Sequence, residues 1–227
     1  MRIFAAFDKF KDSFSAKKAS DILAQAADEC AFTGEVISYP LTDGGEGFSE
    51  ILAGRVNGKT NPVNARDSFG ETKSASIALV SIDQLDNEVR ELLDLPFTGK
   101  LAILEMASVC GLTDLTPSQR NPWKTTTLGV GDLLLAAKQS GADYILLGIG
   151  GSSTNDMGVG ALSSLGLKIY NSNEEELIFP SPESWKKAAF FDTTQIESLP
   201  PIRIACDVDN PLLGSEGATY QLSLIHI

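Results

Sequence analysis

The chain has 227 residues, of which 43% are hydrophobic and 21% are charged, and its formal net charge is −12. This composition is typical of a folded globular protein with a substantial core and excludes an intrinsically disordered chain. The acidic balance argues against nucleic acid and anionic membrane surfaces as partners, because both require a basic footprint, but it leaves small phosphate ligands open. The single histidine, His226, excludes triad catalysis and histidine-ligated zinc, so that acid–base or metal chemistry falls to Asp, Glu and Lys.

Strand and helix patterns alternate along the chain. Apolar or alternating runs predict strands at 3–7, 36–39, 75–79, 101–104, 144–147 and 202–206. Helical periodicity predicts helices at 16–30 with Ser15 as cap, at 48–53 closed by Gly54, at 85–93, at 131–140 and at 157–165. This alternation indicates an α/β fold with a largely parallel sheet, in which ligands gather at the carboxyl ends of the strands.

The glycine-rich segment 148–160 follows a buried strand and opens a helix. Glycine backbones let N–H groups converge on an anion, and the helix N-terminus adds positive partial charge. The segment has no Lys-Ser/Thr of a P-loop and no third glycine of a dinucleotide fingerprint, and a tight strand–helix turn is the alternative reading. The candidate phosphate- or substrate-binding residues here are Gly150, Gly151, Ser152, Ser153, Thr154, Asn155 and Asp156, the last also a candidate Mg²⁺ ligand.

Two further loops carry carboxylates at predicted strand ends. Asp43 and Glu46 lie in a Gly-rich bend before a helix, which suits a metal ligand or an acidic base, although Asp43 could equally cap the helix. Asp207 and Asp209 close the last strand, where a general base, a Mg²⁺ ligand or a simple Asx-turn are all compatible with the sequence.

Cationic loops and the cysteines complete the candidate set. Lys11 follows the first strand and pairs with an anion or is merely solvated. Arg120, with Thr125 and Thr126, precedes a helix and forms an anion site or a capped loop. The three widely spaced cysteines are expected to be reduced thiols, and with no leader or membrane-spanning run we expect a cytoplasmic protein.

Ordered motifs lie at residues 8–13, 43–47, 105–107, 120–126, 148–156 and 206–212. Together they resemble the type 1 family of bacterial glycerate kinases, and the resemblance extends to about Tyr220. The sequence departs from the family pattern at a few positions. It has Lys9 in place of Ser, Asp12 in place of Gly, Asn121 in place of Asp, Val130 in place of Thr, Ser153 in place of Ala and Met157 in place of Gly.

The resemblance implies ATP-dependent phosphorylation of D-glycerate to 2- or 3-phosphoglycerate, with ATP and Mg²⁺ as cofactors. It also implies a two-domain α/β fold: residues 1–60 begin a flavodoxin-like domain, and residues 61–220 form an inserted second α/β domain of the restriction-endonuclease-like type, here incomplete. The family chain continues beyond Tyr220, so residues 221–227 are interpreted as a non-native tail and the fragment alone is expected to be inactive.

A kinase brings a phosphate cradle, a metal and a base into one cleft. The catalytic candidates are therefore Asp207, Asp209, Asp43 and Lys11, and the Mg²⁺ candidates are Asp43, Glu46 and Asp207. A non-catalytic phosphometabolite-binding protein on the same fold is the alternative. A dinucleotide-dependent oxidoreductase is disfavoured by the missing third glycine and by the lack of an acidic residue closing the strand at 168–170.

Overall fold

The structure, a computed structural model, describes residues 1–10 and 13–218. Its strands are β1 (Arg2–Ala5), β2 (Glu35–Ser38), β3 (Lys59–Arg66), β4 (Thr72–Ser81), β5 (Lys100–Glu105), β6 (Tyr144–Gly148), β7 (Lys168–Tyr170), β8 (Phe190–Asp192) and β9 (Ile202–Ala205). Its α-helices are α1 (Ala16–Glu29), α2 (Phe48–Arg55), α3 (Asn87–Leu92), α4 (Ala107–Cys110), α5 (Leu128–Gln139) and α6 (Val159–Ser164). Short 3₁₀ turns occupy Ile82–Gln84, Leu112–Asp114, Pro117–Gln119 and Pro182–Lys187.

The central sheet has five strands in the order β3-β4-β5-β6-β9. β5, β6 and β9 run parallel, whereas β3 and β4 pair antiparallel with each other and β4 pairs antiparallel with β5. The sheet is therefore mixed, and the prediction of a largely parallel sheet holds only for β5, β6 and β9. The cause is the tight turn between β3 and β4, in which the Asp67 carboxylate accepts from the N–H groups of Phe69 and Glu71, because a short connection joins only antiparallel strands.

The two faces of the sheet carry separate cores. Successive residues of a strand point to opposite faces, so Ala102 and Leu104 of β5 pack with α5 while Leu101 and Ile103 pack with α2. These residues are almost fully buried. Helices on both faces of a sheet confirm the predicted α/β class.

Helix ends follow local chemistry in most cases. α1 begins after Ser15, whose hydroxyl accepts a hydrogen bond from Lys18 N–H at 3.2 Å, as predicted. The prediction that Gly54 closes α2 is wrong, because the helix includes Gly54 and ends at Arg55, ahead of Asn57 in the left-handed region. α5 begins at Leu128 rather than 131, which brings its N-terminus beside the Thr-rich loop that precedes it.

β1 and β2 form a separate two-stranded parallel sheet with α1 packed against it. This N-terminal unit leaves apolar side chains in solvent, among them Phe4, which is 65% exposed, and Ile22. α2, in contrast, packs on β4 and β5, so the chain from Phe48 onward belongs to the unit built around the five-stranded sheet. The domain boundary at residue 60 stays a prediction, and residues 219–227 lie outside the described part of the chain.

Cys110 is buried, and burial raises the pKa of its thiol to about 12, while Cys30 and Cys206 are exposed free cysteines. Within residues 1–10 and 13–218, no helix combines the length and apolar character needed to cross a membrane.

Candidate functional site

A cleft of about 510 Å³ lies where the N-terminal unit meets loops of the five-stranded sheet. The polar groups around it come from separate parts of the chain: Lys9 after β1, Asp43 and Glu46 before α2, Gly151 after β6, and Arg120. The remaining walls are formed by Phe10, Ser13, Phe14, Ser15, Gly47, Leu112 and Thr113. The cleft therefore brings both cations and carboxylates to the carboxyl ends of the strands, as expected for an α/β fold.

Lys9 is the centre of the charge cluster in this cleft. Its Nζ donates to Asp43 Oδ1 at 2.6 Å and to Oδ2 at 2.7 Å, and lies 3.1 Å from Glu46 Oε2. The side chains of Lys9, Asp43 and Glu46 are 16%, 26% and 30% exposed, so solvent screens the ion pairs only in part.

The pKa values respond to this pairing. Burial alone would lower the pKa of Lys9, but the hydrogen bonds to Asp43 and Glu46 outweigh it and raise that pKa above the usual lysine value. Burial would raise the pKa of Asp43, but the Lys9 hydrogen bond and the Gly45 N–H lower it below the usual aspartate value. Both groups are therefore charged at neutral pH.

The Gly-rich bend at 43–47 is fixed against the loop that follows β6. Gly45 N–H donates to Asp43 Oδ1 at 2.9 Å, and Gly150 N–H donates to the Gly44 carbonyl at 3.1 Å. Gly44 has φ +88°, and a Cβ there would lie 2.9 Å from the Ala205 carbonyl oxygen at the end of β9. The loop after β6, the last residue of β9 and the bend before α2 thus lie close together through backbone atoms.

Glu105, the last residue of β5, holds the end of the same bend through hydrogen bonds. Its carboxylate accepts from Gly47 N–H at 3.1 Å and from the N–H and hydroxyl of Ser49 at 3.2 and 3.3 Å. These N–H groups belong to the N-terminus of α2, where a helix lacks internal acceptors and favours negative charge. Burial raises the pKa of Glu105, although these hydrogen bonds oppose the shift. The motif at 105–107 was evident in the sequence, but this contact, 56 to 58 residues along the chain, was not.

The second half of the glycine-rich segment does not line the cleft. Asp156 is 1% exposed, and its carboxylate accepts from the N–H groups of Thr127, Gly158 and Gly160 at 2.7, 3.1 and 3.0 Å. The Thr127 hydroxyl also donates to it at 2.9 Å. This arrangement caps α6 and ties it to the start of α5, which favours a structural role over the ligand role predicted for Asp156.

The hydroxyls predicted to bind phosphate are largely engaged with the protein. The Thr125 hydroxyl donates to the Ser153 carbonyl at 2.9 Å, and the Ser153 hydroxyl donates to the Cys110 carbonyl at 2.9 Å. Thr126, also buried, directs its hydroxyl to Asp156 at 3.4 Å. The roles of these hydroxyls in ligand binding stay predictions. In the structure, their hydrogen bonds join the loop before α5 to the loop after β6.

Other members of the predicted set lie at the edge of this junction. Ser152 pairs with Gly111 through an isolated β-bridge, and Asn155 is half-buried. The Thr154 Oγ1 is buried and has no hydrogen-bond partner. Gly151 is exposed, has φ +68° and borders Glu46 in the cleft.

The remaining candidates are not brought into the cleft with Asp43. Asp207 and Asp209 are exposed after β9 and do not line it, and Lys11 lies outside the described residues. Arg120 does line the cleft, and its Nε donates to the Leu115 carbonyl at 3.3 Å. Among the residues that the structure describes, no three His, Cys, Asp or Glu side chains come together as metal ligands.

Comparison with known proteins gives consistent matches over nearly the whole chain. The sequence profile described as the glycerate kinase family matches residues 3–222. A glycerate kinase of Bacillus cereus is 34% identical over 97% of this chain and 54% of its own length, and the glycerate 2-kinase of Escherichia coli K12 is 33% identical over 96% and 54%. The crystal structure of a putative glycerate kinase 2 from Salmonella typhimurium LT2 superposes with a TM-score of 0.70 at 31% identity, covering 99% of this chain and 56% of that one. The chain thus spans about half the length of these relatives.

Proposed function

This chain belongs to the glycerate kinase family, and on that basis we propose that the protein to which it belongs phosphorylates D-glycerate at the expense of ATP. The observation that carries the proposal is the cleft in which Lys9, Asp43, Glu46 and Arg120 converge at the strand ends. An anionic hydroxy acid and a phosphate both require cations, and a hydroxyl that attacks phosphorus requires an acceptor for its proton. In the cleft, Arg120 offers the cation and Asp43 offers the acceptor.

Each group has a defined part in this proposal. Arg120 has the planar donor geometry that binds a carboxylate or phosphate in two places, and we assign it to the glycerate carboxylate or to a transferred phosphate. Asp43, ionised at neutral pH and partly open to the cleft, orients the attacking hydroxyl and accepts its hydrogen bond. Gly151 also lines the cleft. Asp207 and Asp209 remain alternative bases, although they would have to move towards the cleft when substrate binds.

ATP and Mg²⁺ are the cofactors of the proposal. Mg²⁺ in kinases is held by one or two carboxylates together with the nucleotide phosphates rather than by a complete protein cage. The donor set here fits that pattern poorly, because Asp43 and Glu46 are already paired with Lys9. A metal carried by the nucleotide phosphates would supply neutralisation of their charge, and no step is assigned to Asp43 or Glu46 as its ligands. The inserted-domain arrangement and a cytoplasmic location belong to the same proposal.

A coupled assay of ADP release, with and without D-glycerate and on the full-length protein, tests this function. We expect ADP release that depends on glycerate, and ³¹P NMR of the product distinguishes 2- from 3-phosphoglycerate. Asp43→Asn and Asp207→Asn are compared, and the group that acts on the hydroxyl should show a loss of roughly 10²–10⁴-fold in kcat. The matched control is Asp86→Asn, an exposed aspartate before α3 whose side chain makes no capping bond. ADP release that is equal with and without glycerate would refute the proposal.

A further inference from the structure

The Lys9 ammonium has its hydrogen-bonding capacity filled by carboxylates. An ammonium carries three N–H donors, and Lys9 Nζ makes three short contacts, two with Asp43 and one with Glu46. It also lies against the backbone, since a Cβ on Gly45 would come within 2.7 Å of Nζ. Lys9 is therefore held in place as a counter-ion and is not positioned to donate to a ligand in the cleft.

The carboxylates are equally committed to this ammonium. Both oxygens of Asp43 accept from Lys9, and Asp43 Oδ1 accepts in addition from Gly45 N–H. Glu46 Oε2 is shielded from solvent and lies 3.1 Å from Lys9 Nζ, and this ion pair compensates its charge, while Glu46 Oε1 accepts from the Thr113 hydroxyl at 3.4 Å. A divalent cation at this pair would have to displace the ammonium from three oxygens.

Charge leads to the same result. Two carboxylates and one ammonium sum to −1, whereas the pair without Lys9 would carry −2 in a partly buried setting. A divalent cation is repelled by a lysine within a few ångströms and attracted strongly by two unpaired carboxylates. The presence or absence of Lys9 thus decides whether the pair attracts a divalent metal.

We propose that Lys9 is the resident cation of the Asp43–Glu46 pair and that this pair does not take a divalent metal while Lys9 is present. Lys9 stands where the family pattern has serine, so the proposal concerns this chain in particular. It concerns binding alone and does not depend on the proposed reaction.

Titration of Mn²⁺ against the purified protein without nucleotide, followed by electron paramagnetic resonance of free Mn²⁺, provides the test. The variants are Lys9→Ser, Lys9→Ser with Asp43→Asn, and Asp43→Asn alone. Lys17→Ser removes an exposed lysine of α1 and controls for net charge. We expect the unaltered chain and Lys17→Ser to bind Mn²⁺ only weakly, and Lys9→Ser to gain one site at least ~100-fold tighter that disappears in the double variant.

Two results would overturn the proposal. One is a saturable Mn²⁺ site in the unaltered chain that Asp43→Asn abolishes, because the pair would then bind metal with Lys9 present. The other is a folded Lys9→Ser variant, judged by its circular dichroism and cooperative melting, that gains no site. If Lys9→Ser does not fold, Lys9→Gln takes its place, since it keeps most of the side-chain length and removes the charge, and the same gain is expected.

Discussion

Replacement of Asp156 tests whether its carboxylate stabilises the fold or binds a ligand. Asp156→Ala removes the acceptor for three backbone N–H groups, those of Thr127, Gly158 and Gly160, in a place that is 1% exposed. An unsatisfied buried donor costs about 1–3 kcal/mol, so the three together cost about 3–6 kcal/mol if water reaches part of the gap. This is a large fraction of the roughly 5–15 kcal/mol by which a domain is stable.

Urea unfolding, followed by circular dichroism, measures this loss as a lower midpoint. Asp156→Asn keeps one carbonyl oxygen as acceptor and should lose less, about 1–3 kcal/mol. The exposed Asp86→Asn serves as control and should change stability by about 0.5 kcal/mol or less. If Asp156→Ala unfolded at the same urea concentration as the unaltered chain but no longer bound ATP or glycerate in calorimetry, the structural assignment would be refuted and Asp156 would be a ligand-binding residue.

Three further predictions concern the cleft and the cores. Gly151→Ala should weaken ligand binding measured by calorimetry, because a Cβ at φ +68° would lie 2.8 Å from the Glu46 carboxylate; unchanged affinity would contradict this. Glu105→Gln should flatten the pH dependence of stability. Because the pKa of Glu105 is raised in the folded state, the unaltered protein loses stability as the pH rises from the usual glutamate range through that pKa, and an equal slope in both proteins would contradict this prediction. Iodoacetamide near pH 8 should label the two exposed cysteines but spare Cys110, with its pKa of about 12, until the protein unfolds, which mass spectrometry of the peptides can establish.

The sequence was sufficient for elements whose signals are local. The Ser15 cap and the buried apolar runs of β5 and β6 depend on nearest neighbours and were predicted within about a residue or two. β3 was not predicted, because its sequence includes Pro62 and several polar residues that suit an edge strand and give no apolar run. The antiparallel pairing of β4 depends on a turn and a partner strand, which hydrophobic periodicity does not encode.

The candidate site divides in the same way. The sequence predicts that Asp43 and Gly151 each follow a strand but not that the two loops meet, because the strand before Asp43, β2, and the strand before Gly151, β6, lie in different sheets. In the sequence, Lys9 stands out only as a departure from the family pattern, because nothing local indicates that it pairs with Asp43, 34 residues away. The burial of Asp156 likewise depends on Thr127, 29 residues earlier, so its sequence context favoured a ligand role.

The glycines where the loops cross have a consequence for how this region can evolve. A Cβ on Gly148 would lie 2.5 Å from the Gly44 carbonyl oxygen, and one on Gly150 would lie 2.7 Å from Gly45 N. The obstructing atoms are backbone, so no exchange of a neighbouring side chain can make room, and a substitution at one glycine has no compensating partner elsewhere. At Gly54 in α2, a Cβ would meet nothing within 4 Å, so other residues fit at this position. Sequence variation is thereby directed to the rim of the cleft, where side chains rather than backbone determine which ligand is accepted.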